Sequence, residues 1–317
     1  MHQKLPRCIL HIGTPKTGST AIQHFLEKNY NNLKERNILA DVPLAIKLSR
    51  ALTGWESREF FLKKVGISNP NQHANFRVKA YEQLQRVLNE PNNLNNTVIF
   101  SSEHFYELGC DPVKIERLQL CLEQYFEVVE VLCYFRDPVD LVVSNYSQAL
   151  KGKFAGSLQT YIGWWMKQWD WNYFSQYQIW SSIFGADRCR FVPFNPKKQV
   201  SYDVVLDFCS RTDLDLADLT LFKGSRINPQ LSVRMIAALR LINTLVPLFV
   251  SMGKGRELVL NPLNRKLKKY VMDHRILSAG RKLKLSARQK HMVRLTTHRE
   301  YTQILEHSSA YLEDQAE

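Results

Sequence analysis

Nine consecutive residues, Ile12-Gly13-Thr14-Pro15-Lys16-Thr17-Gly18-Ser19-Thr20, carry the groups best suited to hold an anion. They follow a short apolar run and precede a helical pattern. A Gly-rich turn that opens a helix presents unpaired backbone N–H groups and the positive end of the helix dipole to a phosphate-like group. In a nucleotide-triphosphatase loop, G-x-x-x-x-G-K-[ST], a lysine follows the second glycine and reaches the β- and γ-phosphates. Here Gly13 and Gly18 take the glycine positions, Ser19 stands where that lysine belongs, and Lys16 lies inside the loop. A kinase would need the post-glycine lysine and a Mg²⁺-binding acid elsewhere. The pattern predicts a phosphate-like ligand held in another manner.

Two further clusters end apolar runs. Val131-Leu132-Cys133-Tyr134-Phe135-Arg136-Asp137-Pro138 reads as a strand closing on an arginine, followed by a helix with Asp137 as N-cap and Pro138 at its first position. Ser144 stands eight residues after Arg136, so a hydroxyl two turns into that helix and a bidentate guanidinium could both serve a phosphate. Val98-Ile99-Phe100-Ser101-Ser102 leads into Glu103-His104. The carboxyl ends of parallel strands are where open α/β sheets bind ligands. Neighbours on a strand face opposite sides, so only one of Glu103 and His104 is expected to face the ligand.

The elements that must position these groups are short apolar runs alternating with longer helical patterns, the signature of an α/β fold with a mostly parallel central sheet flanked by helices. The expected strands are Cys8–Gly13, Thr97–Ser101, Val128–Phe135 and Cys189–Pro193. The expected helices are Ser19–Asn29, Arg77–Asn89, Val113–Tyr125, Pro138–Leu150, Trp171–Phe184, Tyr202–Arg211, Leu231–Leu245 and a final one over Ala287–Leu312. A single domain over 1–317 is expected, with a nucleotide-binding core at 1–232 and a helical, basic C-terminal extension at 233–317. Val250–Leu285 reads as an insertion within it.

The T-P-K-T-G-S-T loop after a first apolar strand resembles the 5'-phosphosulfate loop of sulfotransferases that use 3'-phosphoadenosine 5'-phosphosulfate (PAPS) as sulfuryl donor. R-D-P followed by S-x-Y is similar to that family's 3'-phosphate motif. Tyr173, Trp180, Phe184 and Gly185 echo its aromatic helix, where their role is packing. Lys223-Gly224-Ser225-Arg226 resembles the late basic loop over the 3'-phosphate. The likeness spans Cys8 to Ser232 and is specific in the two phosphate motifs.

The resemblance implies a P-loop-like sulfotransferase fold and a PAPS site formed by Pro15, Lys16, Thr17, Gly18, Ser19, Thr20, Arg136, Ser144, Lys223 and Arg226. It implies no metal, since sulfuryl transfer asks less of a cation than triphosphate chemistry. Lys16 is placed to neutralise the leaving phosphate. For the general base, cytosolic members use a histidine at the corresponding strand end and many carbohydrate-directed members a glutamate. This chain offers both, and Glu103 is preferred, with His104 packing or orienting. A buried glutamate would have a raised pKa, which suits a base. Asp41, after a short strand, is an outside candidate. The loop together with S-S-E is closer to the carbohydrate-directed members, so a carbohydrate or glycolipid hydroxyl is the expected acceptor, and Trp164, Trp165, Trp169 and Trp171 offer indole faces for sugars. The competing classes are a degenerate P-loop kinase and a non-catalytic nucleotide- or polyanion-binding protein.

Composition bounds the partners. With 44% hydrophobic and 23% charged residues the chain can bury a sizeable core. Its net charge of +13 calls for anionic partners, yet no zinc-finger, RNA-recognition or basic-zipper signature points to nucleic acid. From Arg226 to Glu300 there are 17 Lys/Arg against three acidic residues, so the remainder is close to neutral. That segment, with the apolar stretch Leu241–Val250 before Arg265, Lys266, Lys268 and Lys269, is expected to make a peripheral membrane or polyanion contact. No secretory signal opens the sequence and no run is long enough to span a bilayer, so a cytoplasmic protein is expected, peripheral at the membrane where that contact forms. Six scattered cysteines lack metal-site or disulfide spacing.

Overall fold

A computed structural model describes residues 4–53, 62, 66–93, 96–168, 172–194, 203–221, 231–251 and 257–314. The fold is α/β, with a five-stranded, all-parallel sheet in the order β2-β3-β1-β4-β5. The strands are β1 (Leu5–His11), β2 (Ile38–Leu39), β3 (Thr97–Ser101), β4 (Phe126–Phe135) and β5 (Cys189–Pro193). Because β1 lies between β3 and β4, its carboxyl end opens between theirs. The chain passes from one side of β1 to the other after β3, which is the switch point where such sheets hold ligands.

The helices before β4 are α1 (Ser19–Lys28), α2 (Tyr30–Glu35), α3 (Val42–Leu52), α4 (Pro70–Leu88) and α5 (Pro112–Glu123). Several start on a capping side chain followed by proline. Asn69 accepts from the Gln72 amide (2.9 Å) before Pro70, and Asp111 from the Lys114 amide (3.3 Å) before Pro112. Each cap satisfies an amide that the helix cannot. In the second unit, α6 (Pro138–Lys151) starts on Asp137, which accepts from the Val139 amide at 2.7 Å as the sequence predicts. The other helices are α7 (Leu158–Gln168), α8 (Tyr173–Phe184), α9 (Val204–Arg211), α10 (Val233–Ser251), α11 (Glu257–Asp273), α12 (Arg275–Ser278) and α13 (Ala287–Asp314).

Contacts divide the chain into two compact units, Met1–Arg136 with Asn172–Ser225 and Glu300–Glu317, and Asp137–Trp171 with Arg226–Arg299. This grouping cuts across the sequence boundary at 232. The first unit holds the sheet, with Phe100, Phe126, Phe135 and Trp180 in the core on one face and Ile22, Phe25, Tyr134 and Phe208 on the other. Residues 300–308 belong to it. The Glu300 carboxylate accepts from the amide and hydroxyl of Ser175 on α8 (both 2.9 Å), and the Ser308 hydroxyl donates to the Phe191 carbonyl of β5 (2.7 Å). The second unit has its own core, built on Leu141, Tyr146, Ile162, Trp165, Leu239 and Val293. The expected insertion at Val250–Leu285 contains α11, and Leu263, Leu267 and Tyr270 on it are exposed beside Arg265, Lys266 and Lys269. Among the described residues no helix is long and apolar enough to cross a membrane. All six cysteines are free thiols.

Toward the amino end of the sheet, a charge cluster ties three elements together. The Glu130 carboxylate of β4 accepts from Arg7 of β1 through Nε (2.7 Å) and Nη2 (2.9 Å), and from Arg190 of β5. The adjoining cleft of about 580 Å³ is lined by these and by Arg211, Asp207 and Asp213. Arg211 pairs with Asp207 and Arg7 with Asp213, so its charges answer one another instead of awaiting a ligand. Burial alone would raise the Glu130 carboxyl, but hydrogen bonds and charge from Arg7 and Arg190 outweigh it and hold it below its ordinary range. A carboxylate so lowered stabilises the fold fully above the unfolded value, 4.5, and loses that stabilisation as pH falls through its folded value. Glu130→Gln is expected to cost about 2 kcal/mol at neutral pH and to flatten the acid limb of the stability curve. Urea denaturation of both proteins at neutral and acid pH measures it.

Candidate functional site

The loop leaves the sheet under constraint. The Ile12 amide donates to the Leu132 carbonyl (3.0 Å) and the Thr14 amide to that of Tyr134 (2.8 Å), which extends the β1–β4 pairing into the loop. The Thr17 hydroxyl then donates back to the Thr14 carbonyl (2.6 Å) and closes the turn. Lys16 sits in the left-handed region at φ 68°, which costs a non-glycine residue about 1–2 kcal/mol. The Arg136 guanidinium at the end of β4 donates from Nη1 to the Lys16 carbonyl (2.8 Å) and fixes that conformation. The Arg136 guanidinium also lies over the Phe194 ring (5.6 Å), and Tyr173 of α8 donates to its carbonyl (3.1 Å).

The two loop glycines serve different ends. Gly18 is at φ 90°, where a side chain would be strained, and a Cβ there would stand 2.8 Å from Val204 Cγ1. A Cβ on Gly13 would lie 3.0 Å from His11 Nε2, 3.2 Å from Thr17 Oγ1 and 3.3 Å from Ser19 Oγ. A side chain at Gly13 would therefore press against three polar atoms of the loop and of β1. Three of the neighbourhood's buried polar atoms, His11 Nε2, Thr14 Oγ1 and Ser19 Oγ, find no partner among the described residues. Each such group costs about 1–3 kcal/mol when left unsatisfied. The Ala21 amide turns back to the Gly18 carbonyl (2.8 Å), and with the Ser19 and Thr20 amides that open α1 the three atoms form a polar set that fits a phosphate-like anion. Thr20 is exposed and Pro15 half-buried.

Lys16 is half-buried, and burial pulls its pKa down from the ordinary lysine value. The charge of Glu103 works the other way, and that of Arg136 adds to the lowering. Glu103 is thus near enough for its carboxylate to act on the Lys16 ammonium. The strand that carries it ends at Ser101, as predicted, but Glu103 and His104 are not strand residues. They open a 3₁₀ turn, Glu103–Leu108, capped by Ser102, so the alternation of strand faces does not govern them. What separates them is pairing: His104 Nδ1 lies 3.0 Å from Glu107 Oε2 within the same turn. Glu103 is half-buried, not buried as expected.

Ser144 is half-buried on α6 in the second unit, where the neighbouring Tyr146 is core and donates to the Gly156 carbonyl (3.1 Å). Lys223, Arg226, Trp169 and Trp171 lie outside the described residues. Trp165 is buried in the second unit's core, whereas Trp164 is 52% exposed. Asp41, the outside candidate for base, caps α3 by accepting from the Leu44 amide (2.8 Å). Tyr173, Trp180 and Phe184 pack as the sequence implied, with Trp180 and Phe184 stacked at 5.6 Å. His11 was missed. The signal available was a histidine interrupting an apolar strand two residues before a glycine loop.

No family profile and no curated protein matches the chain. Similar solved structures include three sulfotransferases. One is an enzyme from Alicyclobacillus acidocaldarius (14% identity, TM-score 0.43, covering 80% of this chain and 95% of that one). Another is the sulfotransferase domain from the curacin biosynthetic pathway (12%, TM-score 0.39, 92% and 97%). A third is the sulfotransferase domain of the Synechococcus PCC 7002 olefin synthase (14%, TM-score 0.36, 93% and 95%).

The Gly18 geometry predicts that Gly18→Ala destabilises the fold by about 1–3 kcal/mol, through its left-handed φ and the contact with Val204. Adding Val204→Ala should recover only the contact part. Thermal denaturation of the two variants beside Val204→Ala separates strain from clash.

Proposed function

We propose that this chain is a sulfotransferase that moves a sulfuryl group from PAPS to an acceptor hydroxyl, with a carbohydrate or glycolipid as the favoured acceptor. The observation that carries this reading is the loop lysine. Lys16 occupies a strained left-handed position inside the loop, beside Arg136 and within the field of Glu103. A lysine held there faces the group seated in the loop, not the end of a triphosphate beyond it. Supporting it are the unpartnered Thr14 and Ser19 hydroxyls, the first-turn amides of α1 and the sequence motifs around Arg136 and Ser144.

PAPS, when bound, supplies an electrophilic sulfuryl group on a phosphate leaving group. The chain's own work is then positional and electrostatic. Thr17, Gly18, Ser19 and Thr20 hold the 5' end through amides and hydroxyls. Lys16 offers its ammonium to the oxygen on which charge develops as the leaving group departs. The Glu103 carboxylate takes the proton from the acceptor hydroxyl as it attacks, and its negative charge also favours the protonated form of Lys16. His104, engaged with Glu107, steadies the turn that carries Glu103. Arg136 and Ser144 are assigned to the 3'-phosphate, with Lys223 and Arg226 as the loop that accompanies it. The exposed face of Trp164 is of the kind that stacks on a sugar.

Calorimetry decides the donor class. The chain should bind 3',5'-adenosine bisphosphate at least about tenfold more tightly than adenosine 5'-phosphate. Equal affinities, or a preference for Mg²⁺-adenosine triphosphate, would overturn the reading in favour of the kinase alternative. Lys16→Ala should lower turnover far more than nucleotide affinity, because its contact strengthens in the transition state. An acceptor screen with labelled PAPS provides the turnover assay. In it, Glu103→Gln should reduce sulfation by about 10²-fold or more with nucleotide affinity nearly unchanged, and His104→Ala should be milder. The reverse order would move the base to His104.

A further inference from the structure

His11 closes β1 and has no task in the transfer just described. Its imidazole is fully buried, edge-on to the rings of Tyr134 (5.8 Å) and Phe208 (5.5 Å). Nδ1 lies 2.7 Å from the Ser101 hydroxyl at the end of β3. Nε2 has no partner among the described residues and lies, with Thr17 Oγ1 and Ser19 Oγ, against the place where a side chain on Gly13 would stand. Burial pushes the imidazole pKa down to about 3, so the ring is neutral and one nitrogen alone carries a proton. Two arrangements follow. If Nδ1 bears the proton, it donates to Ser101 and turns a lone pair toward the loop, which repels an anion. If Ser101 donates to Nδ1, Nε2–H faces the loop as a donor. The bond made by one ring nitrogen fixes the role of the other, and a loop whose remaining polar atoms suit an anion favours the second arrangement.

We propose that His11 is a binding residue of the phosphate loop: a neutral imidazole, oriented by Ser101, that donates Nε2–H to the phosphate group held over Gly13. The inference rests on the loop's being an anion site and deepens the sulfotransferase reading. It also gives Gly13 a reason to lack a side chain, since a Cβ there would press on Nε2 at 3.0 Å.

The test uses inorganic pyrophosphate and 3',5'-adenosine bisphosphate on the full chain. Two-bond ¹H–¹⁵N spectra of ¹⁵N-histidine-labelled protein, assigned with His11→Gln, should show His11 as the Nε2–H tautomer. Its Nε2 resonance should move on saturation with either anion. His11→Phe should weaken pyrophosphate binding by about tenfold or more, while His11→Gln, whose amide can still donate, should stay within about threefold of wild type. Should His11→Phe fail to fold, Ser101→Ala replaces it, and it should weaken binding by freeing the tautomer. An Nδ1–H tautomer, an Nε2 signal unmoved by saturating anion, or a His11→Phe protein that binds pyrophosphate as wild type does would overturn the proposal. His11-dependent pyrophosphate binding without preference for the bisphosphate would uphold it while removing the sulfotransferase reading. Preferred bisphosphate binding with an unmoved His11 would do the opposite, and a wild-type chain that binds neither anion overturns both.

Discussion

A parallel strand hydrogen-bonded on both edges can leave the sheet only at its ends, and β1 leaves it between the ends of β3 and β4. Everything at the site follows from that pairing. It brings Glu103 from one neighbour and Arg136 from the other to the loop that β1 feeds. The amides of Ile12 and Thr14 prolong the pairing with β4 past the last strand residue, so the loop starts from a fixed direction. The hydrogen bond from Arg136 to the Lys16 carbonyl then holds a backbone conformation that lysine would not adopt alone. A sheet register thus becomes the placement of an ammonium group.

The loop holds its strain and its unsatisfied atoms in one place. A left-handed lysine, a glycine that no other residue can replace without meeting Val204, and three buried polar atoms without partners among the described residues all fall within nine residues. Elsewhere in the first unit, charge is answered by charge: Glu130 gathers two arginines, and Asp207 holds Arg211. The contrast separates a part of the chain whose polar groups answer one another from one whose polar groups do not. Such local cost persists only where the surrounding structure over-determines it.

Much of this was legible in sequence because the signals were local. Thr97–Ser101 and Cys189–Pro193 are strands at the predicted residues, and Asp137-Pro138 starts its helix as its cap chemistry requires. Other elements were hidden for physical reasons. The first turns of α4, Asn71 to Asn75, are nearly all polar, so its apolar period begins only after two turns and the helix was expected from Arg77. Two-residue β2, too short to show alternation, was legible only as the short strand expected before Asp41. Glu103 and His104 were read as strand neighbours because an apolar run gives no warning that its next residues will coil into a 3₁₀ turn. His11 escaped because a histidine within a buried strand looks like core until Ser101, ninety residues away, is seen to hold one of its nitrogens. The grouping into units depends on contacts across the whole chain, which composition does not encode.

The contacts of residues 300–308 set an order of events during synthesis. Glu300 supplies the acceptor for the first turn of α8, Ile304 enters the main core and Ser308 binds the β5 backbone. At roughly 5–20 residues per second, a ribosome exposes the phosphate loop many seconds before these residues exist. During that interval the central strands can pair while the outer face of β5 and the end of α8 await their covering. A nascent chain of this protein therefore carries the finished Gly13–Gly18 loop on an unfinished sheet, with apolar surface uncovered until the last helix arrives.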